Sequence, residues 1–300
     1  MMEVSVQEQR KRILSRRSFL KVAGAACIGF PLYAAEISRH EVSLERHSIR
    51  LNRLPDPFRG FKLAQVSDFH YAEYTEPYFL RDIVNQINRL NPDAVFFNGD
   101  YVTDGVLFSQ SRTKQFAYRC AEILTQVRCP LRYAVLGNHD STFAKHAVLD
   151  ALAIHGFTVL NNRYVPLERN GKRIWIAGTG DALYSEMDLD KAIPPAAHAN
   201  NEPMLLMVHE PDVLSQVARY NVDLMLSGHT HGGQVRLPFL PPLHLPPLGR
   251  KYVEGIFRLG PTQLYVNRGL GTVGLPVRFN CPPEIAILTL EPSGSLNADR

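Results

Sequence analysis

The chain has 300 residues, 45% hydrophobic and 21% charged, enough apolar material for a substantial core, which excludes a disordered or fibrous protein. Its formal net charge of +4 is local. Of 33 Lys and Arg and 29 Asp and Glu, six and two fall in residues 1–35, leaving 27 of each sign beyond them. A neutral body gives no support to a nucleic-acid surface, and no nucleic-acid partner is expected.

In chain order, the first feature is Ser15-Arg-Arg-Ser-Phe-Leu-Lys21, a twin-arginine pattern, followed by fourteen uncharged residues from Val22 to Ala35. That run is short and Gly/Ala-rich for a membrane span but suits the apolar region of a signal. It resembles a bacterial twin-arginine (Tat) signal, although no Ala-x-Ala cleavage site stands near Ala35. Residues 1–35 are therefore expected to be a signal or a membrane anchor, with the twin-arginine export machinery as a partner. The expected location is the periplasm or the outer face of the inner membrane, with membrane or cell-wall association open. Residues 36–300 are expected to form the functional domain.

From about residue 60, strand and helix patterns alternate. Phe79, Leu80, Ile83, Val84, Ile87 and Leu90 keep helical spacing, and Pro92 ends that helix before a strand at 94–97. Further helices are expected over 113–126, 144–155 and from Pro211 to about Tyr220. Further strands are expected at 157–160, Arg173–Ala177, 263–267 and 284–290. Residues 236–250 are rich in proline and leucine. The whole reads as one α/β domain with a sheet-rich C-terminal part. Cys120 and Cys129 flank a short helical stretch, but spacing alone does not establish a disulfide; with Cys281 they are expected as packed or free thiols.

Five short polar motifs each follow an apolar run. Asp68 and His70 follow Lys62–Val66, and Asp100 follows Ala94–Phe97. Asn138, His139 and Asp140 follow Tyr133–Leu136, His209 follows Met204–Val208, and His229 and His231 follow Val222–Leu226. Such runs read as buried strands, so these residues would emerge at strand C-terminal ends, where open α/β sheets place their ligand sites. Two Asp, one Asn and four His, with no thiolate, suit two divalent ions from among Mn, Fe, Zn, Co or Ni. A shared carboxylate would hold such ions roughly 3.5–4 Å apart and acidify a water between them. Taken singly, a buried His is more often a satisfied core residue, and a loop Asp a cap.

Asp68-x-His70, Gly99-Asp100-x-x-x-Asp104, Gly137-Asn138-His139-Asp140, His209 and Gly228-His229-x-His231 resemble, in order, the five signature blocks of the calcineurin-like metallophosphoesterases. The resemblance covers roughly residues 60–290 and implies a four-layer αββα sandwich. It also implies that Asp68, His70, Asp100 and His231 hold one metal and Asp100, Asn138, His209 and His229 the other, with Asp100 as the bridge. His139 is then expected to face the phosphoryl oxygens, stabilise the transition state and protonate the leaving group. Asp140 is expected to accept the other ring N–H of His139 and orient it, and Asp104 to support the ligands from behind.

Gly228–Gln234, Leu264–Gly271, Pro276–Phe279 and Pro283–Ile285 resemble small bacterial phosphodiesterases with Tat or membrane-anchor segments. The same subgroup includes enzymes that cleave the pyrophosphate of UDP-diacylglucosamine. A metal-dependent phosphodiesterase acting on a phosphate ester is the leading expectation. Its alternatives are a pyrophosphatase of a UDP-diacylglucosamine-like lipid precursor and a non-catalytic cell-envelope binding protein. Leu237–Leu248 is expected to border the active-site mouth, either to accept an acyl chain or as a rigid packed loop. Arg268 and Arg278 could hold a phosphate oxygen or pair with carboxylates on the sheet.

Overall fold

A computed structural model describes residues 32–71, 75–103, 110–184 and 186–293. The twin-arginine pattern, Cys27 and Asp104 lie outside the described residues. Among the described residues, no helix is long and apolar enough to cross a membrane.

The strands in chain order are β1 (Ser43–Leu51), β2 (Phe61–Val66), β3 (Ala94–Asn98), β4 (Arg132–Val135), β5 (Thr158–Val159), β6 (Arg163–Arg169), β7 (Lys172–Gly178), β8 (Met204–Met207), β9 (Leu224–Ser227), β10 (Gly255–Leu259), β11 (Thr262–Val266) and β12 (Glu284–Pro292). They form two six-stranded sheets, ordered β1-β12-β2-β3-β4-β5 and β10-β11-β9-β8-β7-β6. The centre of each sheet is parallel: β2 with β3 and β4 in the first, β7 with β8 and β9 in the second.

Strands buried on both faces need apolar residues at every position, and β3 and β8 show why. Val95 and Phe97 point into one apolar layer while Ala94 and Phe96 point into another. Likewise Leu205 and Met207 face the first sheet, and Met204 and Leu206 face the opposite way. The outer layer on the first sheet is closed by helices Pro77–Leu90, Gln110–Leu124 and Lys145–Ile154 through residues such as Ile83, Leu124 and Leu152. On the second sheet, Leu189, Leu214 and Val217 of short helical segments do the same. Three apolar layers between four layers of structure make the expected αββα sandwich.

Several details differ from the sequence pattern. The stretch from Pro211 to Tyr220 is broken into Pro211–Val213, Leu214–Val217 and Ala218–Tyr220. Its first turn is tied sideways: Asp212 accepts the backbone N–H of Arg250 and Tyr252 and donates its own N–H to Leu248. The packed body also begins before residue 36. Tyr33–Ile37 forms a π-type turn with Ala34 buried, its carbonyl accepting from the Arg278 N–H, and Arg39 pairs with Glu76. Cys120, Cys129 and Cys281 are buried free thiols.

At the C-terminal ends of the central strands, polar side chains tie the two sheets together. Asn98 donates to the carbonyls of Leu226 at 2.9 Å and Val208 at 3.3 Å, and Gln65 donates to that of Ser227 at 2.9 Å. These ties fix the strand ends of one sheet against those of the other.

Candidate metal centre

The predicted ligands converge at those ends. Asp68 and His70 leave β2, Asp100 leaves β3, and Asn138 opens the helix Asn138–Phe143 after β4. From the second sheet, His209 leaves β8, and His229 and His231 leave β9. Asp68, His70 and His231 bring one ligand atom each within 4.8 Å of one another; so do Asp100, His209 and His229, and so do His70, Asp100 and His139.

The local backbone is bent to make this possible. Asp68, His70, Asp100, His229 and His231 all have φ between 44° and 72°, a left-handed conformation costing a non-glycine residue about 1 kcal/mol or more. The bends are braced by hydrogen bonds beyond the strand ends, from Asp68 N–H to Gly99 O at 2.9 Å and from His70 N–H to Asp100 O at 3.0 Å. Gly99, at φ +88°, lies so close to the neighbouring loop that a Cβ would stand 2.5 Å from the Gly137 nitrogen.

Hydrogen bonds from behind set which nitrogens face inward. His209 Nδ1 lies 2.7 Å from the Asn98 carbonyl, which cannot donate, so Nδ1 carries a proton and Nε2 is the nitrogen turned to the cluster. That Nε2 stands 3.2 Å from Asp100 Oδ2, which is also 3.6 Å from His70 Nε2. His229 Nε2 lies 2.8 Å from the Pro247 carbonyl, leaving Nδ1 for the cluster. His70 and His231 bring their Nε2 atoms to 3.0 Å, and His231 Nε2 lies 3.4 Å from Asp68 Oδ1. Buried imidazole nitrogens and carboxylate oxygens facing each other at these distances form a donor set that a divalent cation could occupy.

The titration behaviour is divided: burial would lower His209, but Asp100 and Asp68 outweigh it and hold that imidazole well above its ordinary value, whereas Asp68, Asp100, His229 and His231 take metal-binding forms. Burial pushes the Asp68 carboxyl up to about 6, against His209, with Asp100 adding to the rise. Burial would also raise Asp100, but His209, His139 and His70 outweigh it and hold it well below the usual range. Burial and His209 hold His229 down at about 3, and burial with His70 and Arg278 holds His231 well below its ordinary value. Neutral imidazoles and charged carboxylates are the forms that bind a metal. Asn138 Oδ1 and His209 Nε2 are buried without a hydrogen-bond partner among the described residues. The donor set therefore fits divalent cations.

One expectation needs correction. The Asp140 carboxylate does not have ring orientation as its described work: it accepts backbone N–H groups from Tyr101 at 2.9 Å, Val102 at 3.1 Å and Gly137 at 3.0 Å. A fully buried carboxylate takes the donors nearest to it, and these lie in the loops that carry Asp100 and Asn138. Of the two alternatives left open for the arginines, Arg268 takes carboxylates, while Arg278 takes backbone carbonyls and lies 3.4 Å from His231 Nδ1. Arg268 pairs with Glu45 at 2.6 Å and Glu284 at 2.7 Å. Arg278, fully buried, donates to the carbonyls of Gly271 at 2.6 Å and Cys281 at 3.1 Å.

His139 is half-buried and lies edge-on to the His70 ring at 4.9 Å between centroids. It lines a cavity of ≈ 580 Å³ together with Asp100, Asn138, His229 and His231. Leu243, His244 and Pro246 line it too, so the Pro/Leu-rich stretch borders the mouth as expected, and His244 joins it unanticipated.

Asp181 and Glu210 escaped the sequence reading. Both are fully buried and each bears on His209; burial raises Asp181, and burial with help from Asp181 pushes Glu210 up to about 8. Asp181 follows the apolar run of β7 as the ligands follow theirs, and that signal was available.

The Calcineurin-like phosphoesterase family profile matches residues 61–233. Over 288 residues the chain is 36% identical to an uncharacterized metallophosphoesterase, YkuE, of Bacillus subtilis, covering 93% of this chain and 98% of that one. It is 29% identical over 290 residues to the phosphodiesterase YaeI of Escherichia coli, covering 93% and 100%. It is 28% identical over 300 residues to the UDP-2,3-diacylglucosamine pyrophosphatase LpxG of Chlamydia muridarum, covering 79% and 86%. With this fold, these converging donors and more than half its length matched, the chain belongs to the calcineurin-like phosphoesterase family, hydrolases of phosphoric ester bonds.

Proposed function

We propose that this protein is a metal-dependent phosphodiesterase. The observation that carries the reading is the set of buried imidazole nitrogens and carboxylate oxygens, from both sheets, opening onto one cavity beside His139. Two divalent ions held by the predicted ligands, with Asp100 shared, would supply an acidified water as nucleophile and neutralise charge gathering on the phosphoryl oxygens. The protein supplies the rest. Asn98 and the Pro247 carbonyl fix His209 and His229 in their binding tautomers, and the two sheets hold the ligands without reorganisation. His139, at the cavity wall, stabilises the phosphoryl group in flight. It gives its proton to the departing oxygen as the P–O bond breaks. Asp140 keeps the Asp100 and Asn138 loops in register.

The test is the full chain, stripped of metal and given Mn, assayed on matched chromogenic phosphate diesters and monoesters. Diester turnover that needs both Mn and Asp100, and falls by at least about a hundredfold in Asp100→Asn, is the expected result. Turnover without metal, or a clear monoester preference, would sink the proposal.

We also propose export by the twin-arginine route, on the strength of the Ser15–Lys21 pattern. Replacing Arg16 and Arg17 by Lys should leave the protein in the cytoplasm; unchanged export in cell fractionation would refute this.

A further inference from the structure

The cavity at the metal ligands has two chemically different parts. Its floor is polar, with Asp100, Asn138 and the imidazoles, while Leu243 and Pro246 from one loop and Val273, Leu275 and Val277 from another supply hydrocarbon. Its volume of ≈ 580 Å³ is in the usual range for a small-molecule site, about 300–1,000 Å³. No lysine or arginine lines it among the described residues, and Arg268 and Arg278 are spent on carboxylates and carbonyls. The part of a substrate that does not react therefore meets hydrocarbon rather than cations.

The apolar rim extends outward. Leu243 and Leu275 are 63% and 67% exposed, and Phe239 and Leu240 of the same Pro/Leu-rich loop are also exposed. Single exposed apolar residues are ordinary, but these stand in the two segments that line the cleft, one of them stiffened by five prolines between Pro238 and Pro247.

Both walls are fastened to the turn that carries His231. Gln234 Oε1 accepts from the Val273 N–H at 2.9 Å, and its Nε2 donates to the carbonyls of Val273 at 3.2 Å and Leu275 at 3.0 Å. Pro242 packs on Gly233 so closely that a Cβ there would stand 2.4 Å from it. The hydrocarbon surface is thus held at a fixed place relative to the metal ligands, so a phosphate seated there has its substituent directed along it.

We propose that this cleft is a hydrocarbon-binding subsite and that the substrate is an amphiphilic phosphodiester. Its phosphate lies at the Asp and His cluster and one alkyl or acyl arm lies along Leu243 and Leu275, with Gln234 as the positioning residue of the wall. This rests on the phosphodiesterase reading and narrows it.

The experiment uses the full chain with Mn and a series of 4-nitrophenyl alkyl phosphates from methyl to octyl, all below their micelle concentrations. kcat/KM should rise about two- to fourfold per methylene until the cleft is filled. Leu243→Ser and Leu275→Ser should each lower the octyl-to-methyl ratio, and Gln234→Ala should lower it without changing bound Mn. A flat series, with the methyl ester still cleaved in a Mn- and Asp100-dependent way, overturns the subsite and leaves the phosphodiesterase standing. A chain-length dependence untouched in the Leu243→Ser, Leu275→Ser double variant overturns its location. No turnover of any member overturns the phosphodiesterase reading, and the subsite with it.

Discussion

The ring of His139 shares a cluster with His70 and Asp100, while the next side chain, Asp140, points its oxygens at the N–H groups of Tyr101, Val102 and Gly137. The two neighbours should therefore fail differently when changed. His139→Ala removes a proton donor, so kcat should fall by about 10²–10⁴ on esters with poor leaving groups, less with nitrophenolate, and bound Mn should stay constant. Asp140→Asn replaces an acceptor oxygen by an NH₂ group that cannot receive a backbone N–H. It should weaken Mn affinity by about tenfold or more through the displaced loops, without moving the basic limb of the pH–rate profile. A shifted limb in Asp140→Asn, with Mn affinity intact, would restore ring orientation as its task. Metal content and pH profiles of the two variants, measured side by side, separate the roles.

Among the elements, the loops after β2, β3 and β4 are packed with no slack. A Cβ on Gly137 would stand 2.2 Å from Asp100 Oδ1 and 2.6 Å from the Asp100 nitrogen. Gly137→Ala must push the Asp100 carboxylate aside while leaving the strands paired. We expect a folded protein, by circular dichroism, that binds Mn at least about tenfold more weakly. Unchanged Mn affinity would mean the loop can move without moving Asp100. The same element logic explains what could be read in the sequence. The central strands β2, β3, β8 and β9 are buried on both faces, so they stand out as apolar runs, and the ligands were found because they follow those runs. The missed strands β1, β6 and β10 are all sheet edges. β1 alternates exposed charges such as Arg46 and Arg50 with half-buried or buried residues, as edges do to avoid pairing with other chains, and this hides it among loops. The partners of Asp140 were illegible for a different reason: they are backbone groups, identical in every residue, which only tertiary structure brings near.

For the molecule as a whole, the buried charges make stability depend on pH in a way that metal reverses. Asp140 is pushed up to about 7 by burial and Asp100, and Glu210 to about 8. Both ionise near 4 when unfolded, so the folded state binds more protons and stability falls as pH rises towards those values. His209, held well above its ordinary value because Asp100 and Asp68 outweigh burial, acts in the same direction. His229, held at about 3, opposes them only below its unfolded value of 6.5. From pH 6.5 to 8 the metal-free protein should therefore lose thermal stability. A fixed Mn concentration, about a thousand times its Kd at pH 6.5, should add about 4 kcal/mol there and raise Tm by roughly 10 °C, with a larger gain at pH 8. Calorimetry with and without chelator decides this, and a metal-free Tm that climbs over that range would contradict it. The sheet order has a consequence in time. β12 lies between β1 and β2, parallel to the first through all nine residues and antiparallel to the second. During synthesis β1 and β2 emerge early, and the strand that joins them emerges after every metal ligand has already been made. A nascent chain that ends before Glu284 holds the full ligand set in its sequence but has an open seam beside the strand that aims Asp68 and His70. Closure of the first sheet beside Asp68 and His70 therefore waits on β12, the clasp that joins two strands made long before it.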